Sequence, residues 1–280
     1  MELLVNGHTT YCYTGGKLFD PAKPTVIFIH GVLHDHSVWI LQTRYLANHG
    51  WNVLAVDLPG HCRSAGAPPA TVEEAADFVI ALMDALDLKQ AALVGHSFGS
   101  LIALEAAARA LDRISQLVLV GIAFPMKVAP ALLEASLNEP MKALTMVNIF
   151  SRSTLAPPPS AMGPGTWVYG ASMALGRRVL ASNTKINLFH TGFKACDSYT
   201  HGEEAMEKVH CPTLFVLGKV DQMTPPKAAQ GLIHKARFGK VVYLPGGHHQ
   251  MQETPEEMLA ALNHFLKRGS EPTRGVLTGP

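Results

Sequence analysis

Charge of either sign is scarce in this chain. Charged residues make up 16% of its 280 residues, and 23 Lys and Arg against 22 Asp and Glu leave a net charge of +1. Such a balance offers no basic stripe for nucleic acid or for an anionic membrane, so neither is expected as a partner. The 14 histidines would add positive charge only as pH falls. Cysteine is scarce too: Cys12, Cys62, Cys196 and Cys211 are scattered, with no C-x-x-C spacing. That argues against a disulfide framework and makes a reducing cytoplasm the expected setting. No apolar run approaches the ~20 residues a membrane-spanning helix needs. The start, Met1-Glu-Leu-Leu-Val-Asn-Gly, lacks the basic and apolar segments of a secretory signal. Apolar residues, in contrast, reach 48%, too many for a disordered chain. At this length a substantial core can form.

Short β-prone runs at Leu3 to Val5 and Thr9 to Tyr13 flank Asn6-Gly7, a strong hairpin signal. Thr25 to His30 is nearly all apolar, as in a strand buried on both faces. Similar runs follow at Val53 to Val56, Ala91 to Val94, Leu117 to Val120, Thr213 to Leu217 and Val241 to Leu244. Helical patterns lie between most of them. Val72, Ala75, Ala76, Val79, Leu82, Met83 and Leu86 share one helical face, Leu101 to Ala110 is rich in Ala and Leu, and Thr254-Pro255 opens a helix to Leu266. The alternation predicts an α/β fold: a mostly parallel, doubly wound sheet with the hairpin at one edge. Pro125 to Lys208 breaks the rhythm, with seven prolines and only short apolar helical stretches, such as Ala131 to Leu137 and Val168 to Leu180. A structureless loop of that length is not expected, so residues 125–208 are expected to form a helical insertion. The core is then 1–124 and 209–268, and 269–280 is expected to be a flexible tail.

Gly95-His96-Ser97-Phe98-Gly99 follows one strand and opens a helix. A serine on such a strand-to-helix turn exposes its hydroxyl, and the flanking glycines let backbone approach closely. Serine is a weak nucleophile alone and needs a base, which in turn needs an orienting acid. Asp221 follows the strand Thr213 to Leu217, and His248-His249 follow Val241 to Leu244. Both fall where parallel sheets build their sites, at strand C-terminal ends. For Asp221 a turn-forming role is the plain alternative. Val32, in the loop after the strand ending at His30, can present a backbone N–H beside that of Phe98. Two such donors would stabilise a tetrahedral oxyanion, each by about 3 kcal/mol. His30 and Asp57 read as hydrogen-bonding supports of their loops.

His30-Gly31, Asp57-Leu-Pro-Gly-His61, Gly-His-Ser97-Phe-Gly and the late Asp221 and His248, in this order, resemble the α/β-hydrolase fold superfamily, in its small cap-bearing esterase, lactonase and C–C hydrolase branch. The resemblance implies that Ser97, Asp221 and His248 form the catalytic triad, that Val32 and Phe98 form the oxyanion hole, and that residues 125–208 are the cap. It also favours His248 over His249, because the family histidine directly follows a glycine and stands five residues before Glu-x-Pro, here Glu253-Thr254-Pro255. Two departures are Cys62 and Ser100, where relatives often carry glycine. The expected activity is hydrolysis of a small or medium carboxylic ester or lactone, without cofactor. The same triad could cleave a C–C bond or run cofactor-free perhydrolysis, and the scaffold can also serve as a small-ligand receptor. Phe124, Met146 and Trp167 are candidate pocket residues, with Met126, Met141, Tyr169 and Met173 beside them; cap core is the plain alternative for each. His34-Asp35-His36 with His30 could suggest a metal, but the spacing is not that of a zinc hydrolase, and no metal is expected.

Overall fold

The computed structural model describes residues 1–153 and 168–269. β1 (Glu2–Val5) and β2 (His8–Tyr13) pair antiparallel, and the Asn6-Gly7 turn takes φ of 50° and 78°, the left-handed pair a two-residue hairpin turn requires. Six more strands follow: β3 (Thr25–Ile29), β4 (Asn52–Val56), β5 (Ala91–His96), β6 (Ile114–Val120), β7 (Thr213–Gly218) and β8 (Gly239–Leu244). They form one eight-stranded sheet in the order β1-β2-β4-β3-β5-β6-β7-β8, parallel from β4 to β8. β2 joins β4 antiparallel.

Period-two alternation in the strands sorts the core into two layers. Ile27, Ile29, Leu93, Leu117, Leu119, Phe215 and Leu217 face one layer, while Val26, Phe28, Val94, Val118, Val120 and Val216 face the other. The first layer receives α2 (Val72–Ala85) and α3 (Phe98–Arg109). The second receives α1 (Ile40–Ala47) through Leu46 and Ala47. Thr71 caps α2 by accepting a hydrogen bond from the Glu74 amide at 3.1 Å.

Between β6 and β7 run α4 (Pro130–Asn138), α5 (Pro140–Phe150), α6 (Val168–Ser182), α7 (Leu188–Ser198) and α8 (Gly202–Lys208). Pro130 and Pro140 stand in the first turn of α4 and α5, where a missing N–H costs nothing. The described residues of this stretch are mainly helical, and its last helix packs with the core. α8 buries Ala205 and Met206 in the same cluster as α3 and so belongs to the sheet's own helical layer. After β7 come α9 (Gln230–Lys235), then β8, α10 (Gln250–Glu253) and α11 (Pro255–Gly269), which returns Met258, Leu262 and Leu266 to the second layer. β8 was expected to be buried like the other runs; it is the sheet's edge, and Tyr243 stands 46% exposed.

Strand order changes direction at β3, which has β4 on one side and β5 on the other. The chain ends of β3 and β5 therefore open side by side, the usual place for a site in such sheets. Here α3 leaves β5 with no room for a side chain. A methyl on Gly95 would stand 2.0 Å from the Gly99 carbonyl oxygen, and one on Gly99 would stand 2.3 Å from the Ile29 carbonyl oxygen. Gly95→Ala is expected to lower stability by about 3 kcal/mol, since rigid backbone must move on both sides. Urea denaturation measures it, and a loss under about 0.5 kcal/mol would contradict this packing.

Candidate active site

The site grows from the turn between β5 and α3. Ser97 takes φ 54° and ψ −118°, a region sparsely populated by residues with a Cβ, at a cost of about 1–3 kcal/mol. Its amide donates to the Val120 carbonyl at 2.9 Å, and its carbonyl accepts the Ser100 amide and hydroxyl at 2.8 and 2.5 Å. Ser100, where relatives carry glycine, thus closes the turn from below. Phe98 is the first residue of α3, where backbone N–H groups have no partner within the helix. The loop after β3 passes directly over this turn: a methyl on Gly31 would stand 3.3 Å from Ser97 Cβ. That brings Val32 beside Ser97 in the wall of one cavity. His30, fully buried, accepts the Leu58 amide on Nε2 at 3.1 Å and donates Nδ1–H to Gly31 at 2.9 Å, so it fixes that loop as a neutral ring.

Asp221 and His248 come together at the ends of β7 and β8. His248 Nδ1 donates to Asp221 Oδ2 at 2.8 Å, and both side chains are buried. Asp221 Oδ1 accepts the amides of Met223 and Thr224, each at 2.8 Å, so the turn-forming and histidine-orienting roles coexist on one carboxylate. Burial alone would raise this carboxyl, but the His248 ring and the bonds from His248 and Thr224 outweigh it and hold the group below its ordinary range. Thr224 was not singled out by sequence. Its hydroxyl lies 2.8 Å from Asp221 Oδ2, 2.9 Å from His248 Nδ1 and 2.9 Å from the Gly121 carbonyl. The His248 backbone is pinned at both ends, its amide donating to Ser151 at 2.7 Å and its carbonyl accepting His96 Nε2–H at 2.9 Å. With Nδ1 carrying the proton, His248 Nε2 holds a lone pair, and His248 and Ser97 line the same cavity.

Two arms of that cavity meet at Ser97, Val32, Phe193, Met223 and His248. The outer arm, about 340 Å³, is walled by Met126, Val128, Leu132, Met146 and Phe150. The inner arm, about 40 Å³, is walled by His34, His96, Asn148, Ser172 and His249 with Leu144 and Phe189. Met146 lines the outer arm. Phe124 does not: it packs its ring against Tyr199, 5.9 Å between centroids, and over Gly202 of α8, away from both arms. Trp167 lies outside the described residues. His249 is buried and turned towards Arg152 and His34.

Asp35, His36 and Asp57 could by geometry hold a metal ion, their ligand atoms lying within 4.8 Å of one another. Their carboxylate oxygens are already engaged. Asp57 accepts from His36 and Arg63 backbone, and Asp35 accepts from Ser37, from Cys62 Sγ at 3.4 Å and from Arg178 at 2.5 Å. The Arg178 charge sits where a cation would have to enter, so the group reads as a clamp between α6 and the loop at Cys62. Cys62 itself takes φ 46°, the left-handed conformation that glycine adopts most readily.

Five buried imidazoles are held neutral. Burial is the chief cause in each: it pushes His34 down to about 3 and His61 to about 4, lowers His30, and puts His96 and His249 well below their ordinary value. Neighbouring rings and, for His249, the Arg152 charge add to it. An unfolded histidine binds a proton below pH about 6.5, whereas these do not until far lower. Their contribution is thus fully present above that pH and is lost as pH falls towards the native values, with about 1.4 kcal/mol per pH unit for each ring. The urea midpoint is expected to hold from pH 8 to 7 and to collapse between pH 6 and 5; a flat midpoint down to pH 5 would refute neutral burial.

Comparison with known proteins agrees with this architecture. Residues 24–255 match the family model described as alpha/beta hydrolase fold. The chain is 24% identical over 275 residues to the (E)-2-((N-methylformamido)methylene)succinate hydrolase of Acinetobacter baylyi, covering 94% of this chain and 96% of that one. It is 28% identical over 278 residues to a pimeloyl-acyl-carrier-protein methyl ester esterase of Neisseria meningitidis, covering 94% and 83%. The enol-lactonase of Burkholderia xenovorans superposes with a TM-score of 0.80 at 22% identity, over 95% of this chain and all of that one. With a sheet that reverses at β3, a serine elbow after β5 and a family match over most of its length, the chain belongs to the α/β-hydrolase fold family.

Proposed function

We propose that the chain is a serine hydrolase that cleaves a small or medium carboxylic ester or lactone through an acyl-enzyme on Ser97. One observation carries the reading: the buried Asp221–His248 pair leaves His248 Nε2 as a base in the cavity that Ser97 opens into. His248 takes the Ser97 proton as the hydroxyl attacks the acyl carbonyl, and then gives it to the leaving alcohol. In the second half-reaction it activates water against the acyl-enzyme. Asp221 holds the ring in the Nδ1–H form and stabilises the imidazolium while it exists. The N–H groups of Val32 and Phe98 receive the oxyanion, in a setting largely closed to water. The lactonase and methyl ester esterase named among the relatives favour the same chemistry. Helices α4 to α7 act as the cap, and the apolar outer arm takes the hydrocarbon part of the substrate.

Ser97→Ala is expected to retain under a tenth of wild-type kcat on a chromogenic ester, and a fluorophosphonate should label Ser97 alone in the wild type. His248→Ala should lose about 10⁴ in kcat, while His249→Ala loses far less. If His249→Ala is the inactive variant and His248→Ala turns over normally, the base is misassigned. Met146→Ala should shift chain-length preference towards longer or bulkier esters more than it changes the rate on the smallest one. Equal effects on all chain lengths would remove Met146 from the substrate's path.

A further inference from the structure

We propose that the inner arm of the cavity is a subsite for a carboxylate, so that the substrate is an ester or lactone bearing a carboxylate a few bonds from its scissile carbonyl. This rests on the serine-hydrolase reading above and narrows its substrate class.

The observation behind it is a buried cation with no ion-pair partner. Arg152, just past α5, is 3% exposed, and no carboxylate among the described residues lies within salt-bridge distance of it. Glu253 is the acid whose charge acts on it from beyond salt-bridge distance; its Oε2 accepts from the Ser153 amide at 2.8 Å and hydroxyl at 2.5 Å, and its Oε1 is buried with no hydrogen-bond partner among the described residues. Burial lowers the guanidinium to about 10, with Glu253 offsetting part of that, so it remains charged at neutral pH. Its Nε and Nη1 are buried without a hydrogen-bond partner. A buried charge left in this state is costly unless an opposite charge joins it.

The hydrogen bonds of Arg152 decide the polarity of the inner arm. The two hydrogens of Nη2 serve three acceptors, one of them shared: Ser172 Oγ, Gln252 Oε1 at 2.8 Å and His249 Nδ1 at 3.2 Å. A serine oxygen that accepts from Arg152 keeps its own O–H to donate elsewhere. A neutral imidazole that accepts on Nδ1 carries its proton on Nε2. Ser172 and His249 both line the inner arm beside Ser97. The arm is thus walled by two donors with a cation behind them, the arrangement that recognises an anion. Its 40 Å³ has room for about three water-sized groups, the size of a carboxylate head. A phosphate would be larger, and its greater charge would press on the two unpartnered acceptors of the same wall, Asn148 Oδ1 and His96 Nδ1. The contrast with the apolar outer arm then orients the substrate: carboxylate inward, hydrocarbon outward, scissile carbonyl at Ser97.

The test uses pH-stat kinetics at pH 7.5 on the monomethyl esters of succinate, glutarate and adipate, each against its terminal-amide isostere. The expected result is a kcat/KM at least tenfold higher for the carboxylate at one chain length or more, carried by KM, and weakened by salt. Arg152→Met should bring that ratio to about one, and Arg152→Lys should keep part of it. Should Arg152→Met fail to fold, competitive inhibition of the wild type decides: glutarate should bind at least tenfold tighter than glutaramide. Turnover of the neutral esters with no preference for the carboxylates, or a preference that survives in Arg152→Met, overturns the subsite and leaves the serine-hydrolase reading standing. No turnover of any ester together with no fluorophosphonate label on Ser97 overturns both.

Discussion

Everything in the candidate site depends on the zero clearance between α3 and the ends of β3 and β5. Gly95 and Gly99 leave no side chain in the gap, so the helix closes onto the carbonyls of Ile29 and His30. The turn is then so tight that Ser97 must take a positive φ, with its strain balanced by the Val120 and Ser100 hydrogen bonds that over-determine it. The same approach sets the loop after β3 against Ser97, which is how Val32 comes to stand beside Ser97 in one wall. A looser helix would relieve the strain and would separate the hydroxyl from the amides around it.

The second constraint is electrostatic. Ser97, His248 and the inner arm lie where water is largely excluded, so each polar group there must be matched or kept neutral. Asp221 is matched four times over, by Met223, Thr224 and His248. The imidazoles around it are neutral because burial disfavours their charged form. Arg152 can do neither: among the described residues it has no ion-pair partner, and it does not lose its proton at neutral pH. The insertion that covers the sheet therefore brings both an apolar wall, from α4 and α5, and an unbalanced charge, from the segment after α5.

Much of this was legible in the sequence. Apolar runs mark the buried strands because a parallel strand is covered on both faces, and the glycine-flanked serine carries its own geometric requirement. Strand ends pointed to Asp221 and to the His248-His249 pair, and the family resemblance favoured His248 within it. Other features were not legible, for reasons of distance and edge position. Thr224 acts by touching Gly121 and His248, more than twenty residues away on either side, and no local pattern records that. Arg152 matters through Ser172, His249 and Gln252, which only the fold assembles. β8 reads like an interior strand because half of its apolar residues cover α11, while its outer side stays open as the sheet's edge. Phe124 was a candidate for the pocket with plain core as the alternative, and its ring fills the space over Gly202 of α8.

His248 and His249 show most directly how surroundings assign chemistry. They are neighbours in the chain and the same residue type, and each is 4% exposed. The backbone turns between them, so one ring meets a carboxylate and the other meets a guanidinium. The ring beside Asp221 donates its Nδ1–H to that carboxylate, which leaves Nε2 as its lone-pair side. The ring beside Arg152 is kept neutral by burial first and by the guanidinium charge second, and the bond it accepts on Nδ1 makes Nε2–H its donor. The placement of Asp221 and Arg152 beside successive residues therefore leaves one ring with its proton on Nδ1 and the next with its proton on Nε2, both in the wall of one cavity.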